Sequence, residues 1–238
     1  MQTAKTKLLV FLAVWKRPYI TEICFTGIKR MKTHPDYEIN ALAVISEPEM
    51  IPLCEKYGID WVMHDNNPLG AKKNFGLQKA KEFDFDFLME IGSDDLILNE
   101  LLTHYLPYLK FGFIGVKDVA YLDSSYGECR RHISKSTYGA GRVISRSILE
   151  KMGWKLWKEE LNKGLDNNSV LNLALIGFNY TQVHPLEFPC ILDIKSEVNI
   201  WHFNYFVGKP YDKKEILNRI SKEENEMIDE LCCSLKQE

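Results

Sequence analysis

The first half of the chain repeats one pattern: an apolar run of strand length, a polar break, then apolar positions at helical spacing. Residues 8–14 (Leu-Leu-Val-Phe-Leu-Ala-Val) are apolar throughout, as expected of a central strand covered on both faces. Pro18 follows the break and suits the first turn of a helix over 19–32. The inner face of that helix would be Ile20, Ile23, Cys24, Gly27, Ile28 and Met31. A second strand is predicted over 38–45, then a helix over 48–57 closed by Gly58. A third strand over 59–64 and a helix over 69–83 follow. In the fourth strand, 85–91, apolar Phe85, Phe87, Met89 and Ile91 alternate with acidic Asp84, Asp86 and Glu90. The β-α-β-α-β-α-β order predicts an α/β fold, with a mostly parallel sheet and helices on both faces.

The second half is less regular. Strand signals are mixed over 111–121. Residues 123–141, rich in Ser, Gly, Tyr and Arg, read as hairpin or loop. A short helix or strand-to-helix transition is predicted over 142–151, and a helix over 165–176 ending at Gly177. Short strands are expected at 180–183 and 191–194. One amphipathic helix is expected over 213–235. No linker composition separates the parts. The expectation is a single domain, 1–238, with a nucleotide-binding half (1–98), an acceptor half (99–207) and a C-terminal helix (208–238).

Composition changes this picture little. Hydrophobic residues at 45% and charged residues at 26% are ordinary globular values. A net charge of −3 gives no global attraction for nucleic acid or anionic membrane. No apolar run approaches the ~20 residues of a membrane helix. The six cysteines form no CxxC pair and read as reduced thiols. With no signal-peptide pattern at the start, a cytoplasmic protein is expected.

Candidate chemistry gathers at strand ends. Trp15/Lys16/Arg17, Ser46/Glu47, Asp65/Asn66 and Asp94/Asp95 close the four predicted strands. In a parallel sheet such ends meet at one crevice. The adjacent Asp94 and Asp95 carboxylates repel, so a divalent cation or solvent must offset them. The functional reading is a cation gripping a diphosphate. The alternative is a solvated cap, with Ser93 or Asp94 starting a helix over 96–106.

Several segments together resemble GT-A type nucleotide-sugar glycosyltransferases, in particular the large inverting single-domain group. The opening strand enters Trp15-Lys16-Arg17-Pro18. Gly70-Ala71-Lys72-Lys73-Asn74-Phe75-Gly76-Leu77 looks like the group's glycine–asparagine helix. Ile91-Gly92-Ser93-Asp94-Asp95 looks like its acidic metal motif, with Gly92 in place of the first carboxylate. Gly139-Ala140-Gly141 looks like its acceptor-side glycine segment, and Leu165-Asp166 its later acidic motif, with only the second acid present. The resemblance spans roughly residues 8–205.

It implies a Rossmann-like GT-A fold and metal-dependent, inverting transfer of a sugar from a UDP- or GDP-sugar donor to a hydroxyl acceptor: a glycan, a lipid or a modified nucleobase. It implies that Asp95 holds Mn²⁺ or Mg²⁺, with His202 completing the shell. Asp94, Arg17, Glu47, Asn74 and Lys73 would contact the donor, and Asp166 would be the general base. Each residue also has a plainer role: a packed histidine for His202, a helix cap for Asp166, a solvated helix face for Lys72 and Lys73, and surface ion pairs for Arg17 and Glu47. Arg130-Arg131-His132 and Lys135, near Tyr121, Tyr126 and Tyr138, suit an acidic acceptor, but the acidic balance of the chain disfavours nucleic acid. Two competing functions stand beside this one. A nucleotidyltransferase would need a glycine- and arginine-rich loop after the first strand, where Trp15–Pro18 leads straight into a helix. A non-catalytic nucleotide- or glycan-binding module would show no donor hydrolysis.

Overall fold

The computed structural model describes residues 4–184, 186–199, 202–205 and 207–234. In chain order the first elements are β1 (Thr6–Val14), α1 (Pro18–Met31), β2 (Tyr37–Ile45), α2 (Ile51–Lys56), β3 (Asp60–Met63), α3 (Leu69–Ala80) and β4 (Phe87–Gly92). These match the predicted alternation to within a few residues. The rest are β5 (Asp95–Ile97), α4 (Asn99–Tyr105), β6 (Phe113–Gly115), β7 (Asp118–Asp123), β8 (Cys129–Ile133), β9 (Arg142–Ser145), α5 (Arg146–Lys151), α6 (Leu165–Leu175), β10 (Thr181–Gln182), β11 (Ile191–Lys195), β12 (Lys209–Pro210), α7 (Lys214–Leu217) and α8 (Lys222–Ser234).

Seven strands form the main sheet in the order β10-β6-β9-β4-β1-β2-β3. β1 lies between β2 and β4 and is parallel to both. Leu8, Val10 and Leu12 enter one core layer, while Leu9 and Phe11 enter the other. A continuous apolar run is what a strand packed on both faces needs. β9 joins antiparallel between β4 and β6. A second sheet, β12-β8-β7-β11-β5, is smaller and mostly antiparallel. The chain enters it straight from β4, through Ser93 and Asp94. One core cluster contains residues of both sheets and of α1 and α8.

Two predicted elements are corrected. Residues 96–106 are not one helix capped by Ser93 or Asp94. Leu96, Ile97 and Leu98 are all buried, and Asp95–Ile97 pairs antiparallel with β11 before α4 begins at Asn99. The C-terminal helix is also broken, into α7 and α8. Ser221 and Glu224 cause the restart: Glu224 N donates to Ser221 Oγ, and Ser221 N donates to Glu224 Oε2. That reciprocal pair is a capping box. Among the described residues no helix is long and apolar enough to cross a membrane.

Candidate active site

A cleft of about 680 Å³ opens at the carboxyl ends of β1 and β4 and runs on to the start of α6. That is the size range of small-ligand sites. Its floor is the junction of the two sheets. Asp94 and Asp95 leave β4 there, and Asp193 arrives on β11, paired across the antiparallel ladder with Asp95. Carboxylate oxygens of the three lie within 4.8 Å of one another. Gly92 permits this crowding, since a β-carbon there would stand 2.5 Å from Asp94 Oδ1 and 2.8 Å from Asp95 Oδ2. With only hydrogen at that position, Gly92 N donates to Asp95 Oδ2 at 2.5 Å.

The electrostatics follow from burial and proximity. Burial, reinforced by the charges of Asp193 and Asp94, pushes the Asp95 carboxyl well above the usual range. Burial pushes Asp193 up to about 6, with Lys195 opposing and Asp94 adding to the shift. Burial also works against ionised Asp94, but Arg17 and Lys195 outweigh it and hold that carboxyl below its ordinary value. Arg17 Nη1 donates to Asp94 Oδ2 at 2.9 Å, and Asn199 Nδ2 donates to the same oxygen at 2.5 Å. Lys16 and Arg17 both take left-handed backbone, with φ of 55° and 56°. Such strain in non-glycine residues is held only where surrounding contacts fix it, and here it brings the guanidinium to Asp94. Asp193 Oδ1 is buried without a hydrogen-bond partner. A partnerless carboxylate oxygen beside two further carboxylates is a donor set for a hard divalent cation.

Asp166, in the first turn of α6, lines the same cleft. It does not cap its own helix. Gly164 holds the N-cap position, and Asp166 Oδ2 instead accepts a bond from Gly139 N at 3.0 Å. A β-carbon on Gly139 would lie 2.4 Å from Asp166 Oδ1 and 3.3 Å from Glu90 Oε1. Glycine there lets two carboxylates reach one part of the cleft. Glu90 is buried, ion-paired with Lys73, and 3.7 Å from Arg142 Nη1. Arg142 is itself fully buried and donates to Ser169 Oγ and, at 3.3 Å, to the Asp166 carbonyl. A buried cation thus anchors the turn that presents Asp166.

No protein-family model matches the chain, and no curated protein matches its sequence. Solved structures match its shape. Residues 1–349 of S. aureus TarS align with a TM-score of 0.56 at 15% identity, over 79% of this chain and 60% of that one. The same TarS segment in complex with UDP-GlcNAc aligns at the same TM-score and identity, over 97% and 71%. The mannosyltransferase PcManGT from Pyrobaculum calidifontis, in complex with GDP-Man and Mn²⁺, aligns with a TM-score of 0.56 at 12% identity, over 86% and 61%. The fold is GT-A. This chain therefore spans about 60% of the length of two of these three structures.

Within the GT-A frame the predicted site residues separate. Arg17, Lys73, Asp94, Asp95 and Asp166 all line the cleft. Glu47 does not: it is half-buried and accepts a bond from Lys16 N at 3.2 Å, supporting the strained turn. Asn74 does not reach the cleft either. Its Oδ1 accepts from Leu156 N and Trp157 N, and its Nδ2 donates to the Trp157 carbonyl. The structure does not bring His202 to the acidic cluster; its ring is exposed, 5.9 Å from that of Tyr205. The cluster's donors are all oxygen, and the nitrogen ligand that would favour Mn²⁺ over Mg²⁺ is not among them. The solvated-face reading of Lys72 and Lys73 fails. Lys72 is buried, donating to the Val14 carbonyl, Ser46 Oγ and Asn66 Oδ1, and burial brings its pKa down to about 8. Lys73 is held between Glu90 and the Trp157 ring. Of the basic segment, Arg131 is committed to Asp118 and the Glu187 carbonyl, and His132 bonds the Tyr138 hydroxyl at the cleft wall.

Proposed function

We propose that this chain transfers a sugar from a nucleoside-diphosphate sugar to a hydroxyl acceptor, with a divalent cation and with inversion at the anomeric carbon. The observation that carries the reading is the convergence of Asp94, Asp95 and Asp193 on a cleft that Asp166 also lines. The GT-A fold supports it, as do the UDP-GlcNAc and the GDP-Man with Mn²⁺ bound to structures of this shape.

Asp95 and Asp193 are the ligands we assign to Mg²⁺ or Mn²⁺. Their proton affinity is raised by burial and mutual repulsion, a penalty that a hard cation relieves. The cation, when bound, supplies positive charge against the departing diphosphate. Asp94, fixed by Arg17 and Asn199, faces the donor as a hydrogen-bond acceptor for sugar or ribose hydroxyls. Lys73 lines the same cleft beside Glu90. Asp166 takes the proton from the acceptor hydroxyl as its oxygen attacks, and Gly139 N holds the carboxylate in place. Attack from the side opposite the leaving group gives inversion. The uncharged polar lining of Ser134, Ser136 and Asn167 is where the acceptor sits in this reading.

Titration calorimetry with UDP and GDP, with and without Mn²⁺, tests the binding half. One of the two should bind in a cation-dependent way, and Asp95→Asn should abolish that dependence. Asp166→Asn should leave donor binding intact while reducing turnover by about 10²–10⁴-fold, the usual contribution of a general base. Cation-independent binding, unchanged in Asp95→Asn, would sink the reading. Equal donor consumption by Asp166→Asn and wild type would remove Asp166 from the mechanism and favour a binding module.

A further inference from the structure

The proposed donor site holds a buried ammonium group beside its acidic cluster. Lys195 and Asp193 stand two residues apart on β11, so both side chains leave the same face of the strand. Lys195 Nζ lies 2.6 Å from Asp193 Oδ2, and the lysine side chain is 8% exposed. Both residues line the cleft. An ammonium is retained in such a place only where opposite charge offsets its lost hydration, and Asp193 with Asp94 supplies that charge.

A divalent cation among Asp94, Asp95 and Asp193 would upset this balance. It would share the Asp193 carboxylate with Lys195, and the two positive charges repel at that range. Lysine is a compact charge on a flexible four-carbon stem, so it can turn to another anion. The donor's diphosphate is the anion the cleft is proposed to receive. We propose that Lys195 is a displaceable, protein-borne cation. It holds Asp193 while the site is empty and turns to the donor's diphosphate once Asp193 is taken up as a ligand.

The inference rests on the proposed function. In the transfer, the bond between the anomeric carbon and the diphosphate oxygen breaks, and its electron pair stays on that oxygen. The acceptor oxygen forms the new bond, and its proton passes to Asp166. Lys195 neither gives nor takes a proton; it supplies charge beside the departing oxygen.

Calorimetry on the full chain tests this, using Mn²⁺ alone, then UDP and GDP with saturating Mn²⁺, then the nucleosides. Lys195→Gln should bind Mn²⁺ alone more tightly and the nucleoside diphosphate more weakly, each by about tenfold. Nucleoside binding should not change. Lys195→Arg should restore diphosphate affinity. A lysine that merely supported the fold would weaken both ligands together, so the opposite signs are diagnostic. Asp193→Asn gives an independent arm, because it releases Lys195: its affinity for the diphosphate without Mn²⁺ should exceed that of wild type. The proposal is overturned if Lys195→Gln binds the diphosphate as wild type does or binds Mn²⁺ no more tightly. It is overturned too if Asp193→Asn gains nothing. If wild type binds neither UDP nor GDP with Mn²⁺, the proposed function falls first and takes this inference with it.

Discussion

Asn74 shows how much one amide can hold at a distance from the chemistry. It sits on α3, buried, and makes three hydrogen bonds to the backbone of Leu156 and Trp157. Those residues lead to the segment that carries α6 and Asp166. Asn74→Ala would strand two N–H groups and one carbonyl out of reach of water. At roughly 1–3 kcal/mol for each unsatisfied group, with partial relief by relaxation, the cost is about 3 kcal/mol. Urea denaturation should show that loss, and a variant within 0.5 kcal/mol of wild type would mean that the 156–157 backbone finds other partners. The sequence marks Asn74 as unusual, because asparagine is a poor mid-helix residue, but it does not say which partner needs it. Asp193 is the reverse case. Ile191-Leu192-Asp193-Ile194 places a carboxylate inside an apolar run, a visible oddity, yet its meaning depends on pairing with Asp95 from the other half of the chain. Local pattern cannot carry a contact of that separation, so Asp94 and Asp95 were legible and their third partner was not.

At the scale of elements, the β-α alternation was readable because each unit is local: an apolar strand, a proline or glycine stop, an amphipathic helix. What failed was a boundary set by tertiary pairing at β5 and one set by side-chain capping at α8. Ser221-x-x-Glu224 was there to be read as a helix start, but the apolar positions from Ile216 onward masked the break. The joint between α1 and β2 has a consequence of its own. His34 is buried there, with Nε2 2.9 Å from Thr103 Oγ1 on α4 and its ring edge-on to Tyr37. Burial lowers its pKa below the ordinary 6.5, although Asp36 pulls the other way. Unfolded chains take up the proton near pH 6.5, while the folded protein resists until lower pH. Stability therefore falls as pH drops from about 6.5 towards the folded value and levels off below it; above 6.5 the group contributes nothing to the slope. His34→Gln removes the titration. The stability difference between wild type and this variant should narrow between about pH 7.5 and pH 5, and a constant difference across that range would exclude His34 as its source.

For the molecule as a whole, the end of the chain is tied beneath the site at its beginning. α8 packs on α1 through a buried pair: Glu224, fully buried, accepts two bonds from Arg30 Nε and one from Arg30 Nη2. Arg30 also donates to Asn99 Oδ1, at the start of α4, and to the carbonyl of Ile97, the last residue of the strand that begins with Asp95. Tyr19, in the first turn after the Arg17 bend, donates to the Met227 carbonyl and Glu230 on α8. One network thus joins the C-terminal helix, the Arg17 turn and the acidic strand. Glu224→Ala removes the capping partner of Ser221 and leaves the Arg30 charge in a mostly buried position. Removing one partner of a buried pair costs about 3–5 kcal/mol, because the remaining charge loses its compensation. If the network ties these parts into one cooperative unit, the loss appears as a single shifted transition, with tryptophan fluorescence and far-ultraviolet dichroism still coinciding. If α8 were an independent appendage, helix signal would melt early in Glu224→Ala and the tryptophan transition of the sheet would keep its wild-type midpoint. That second pattern would separate the C-terminal helix from the unit that forms the cleft, and the placement of Arg17 would then have to rest on α1 alone.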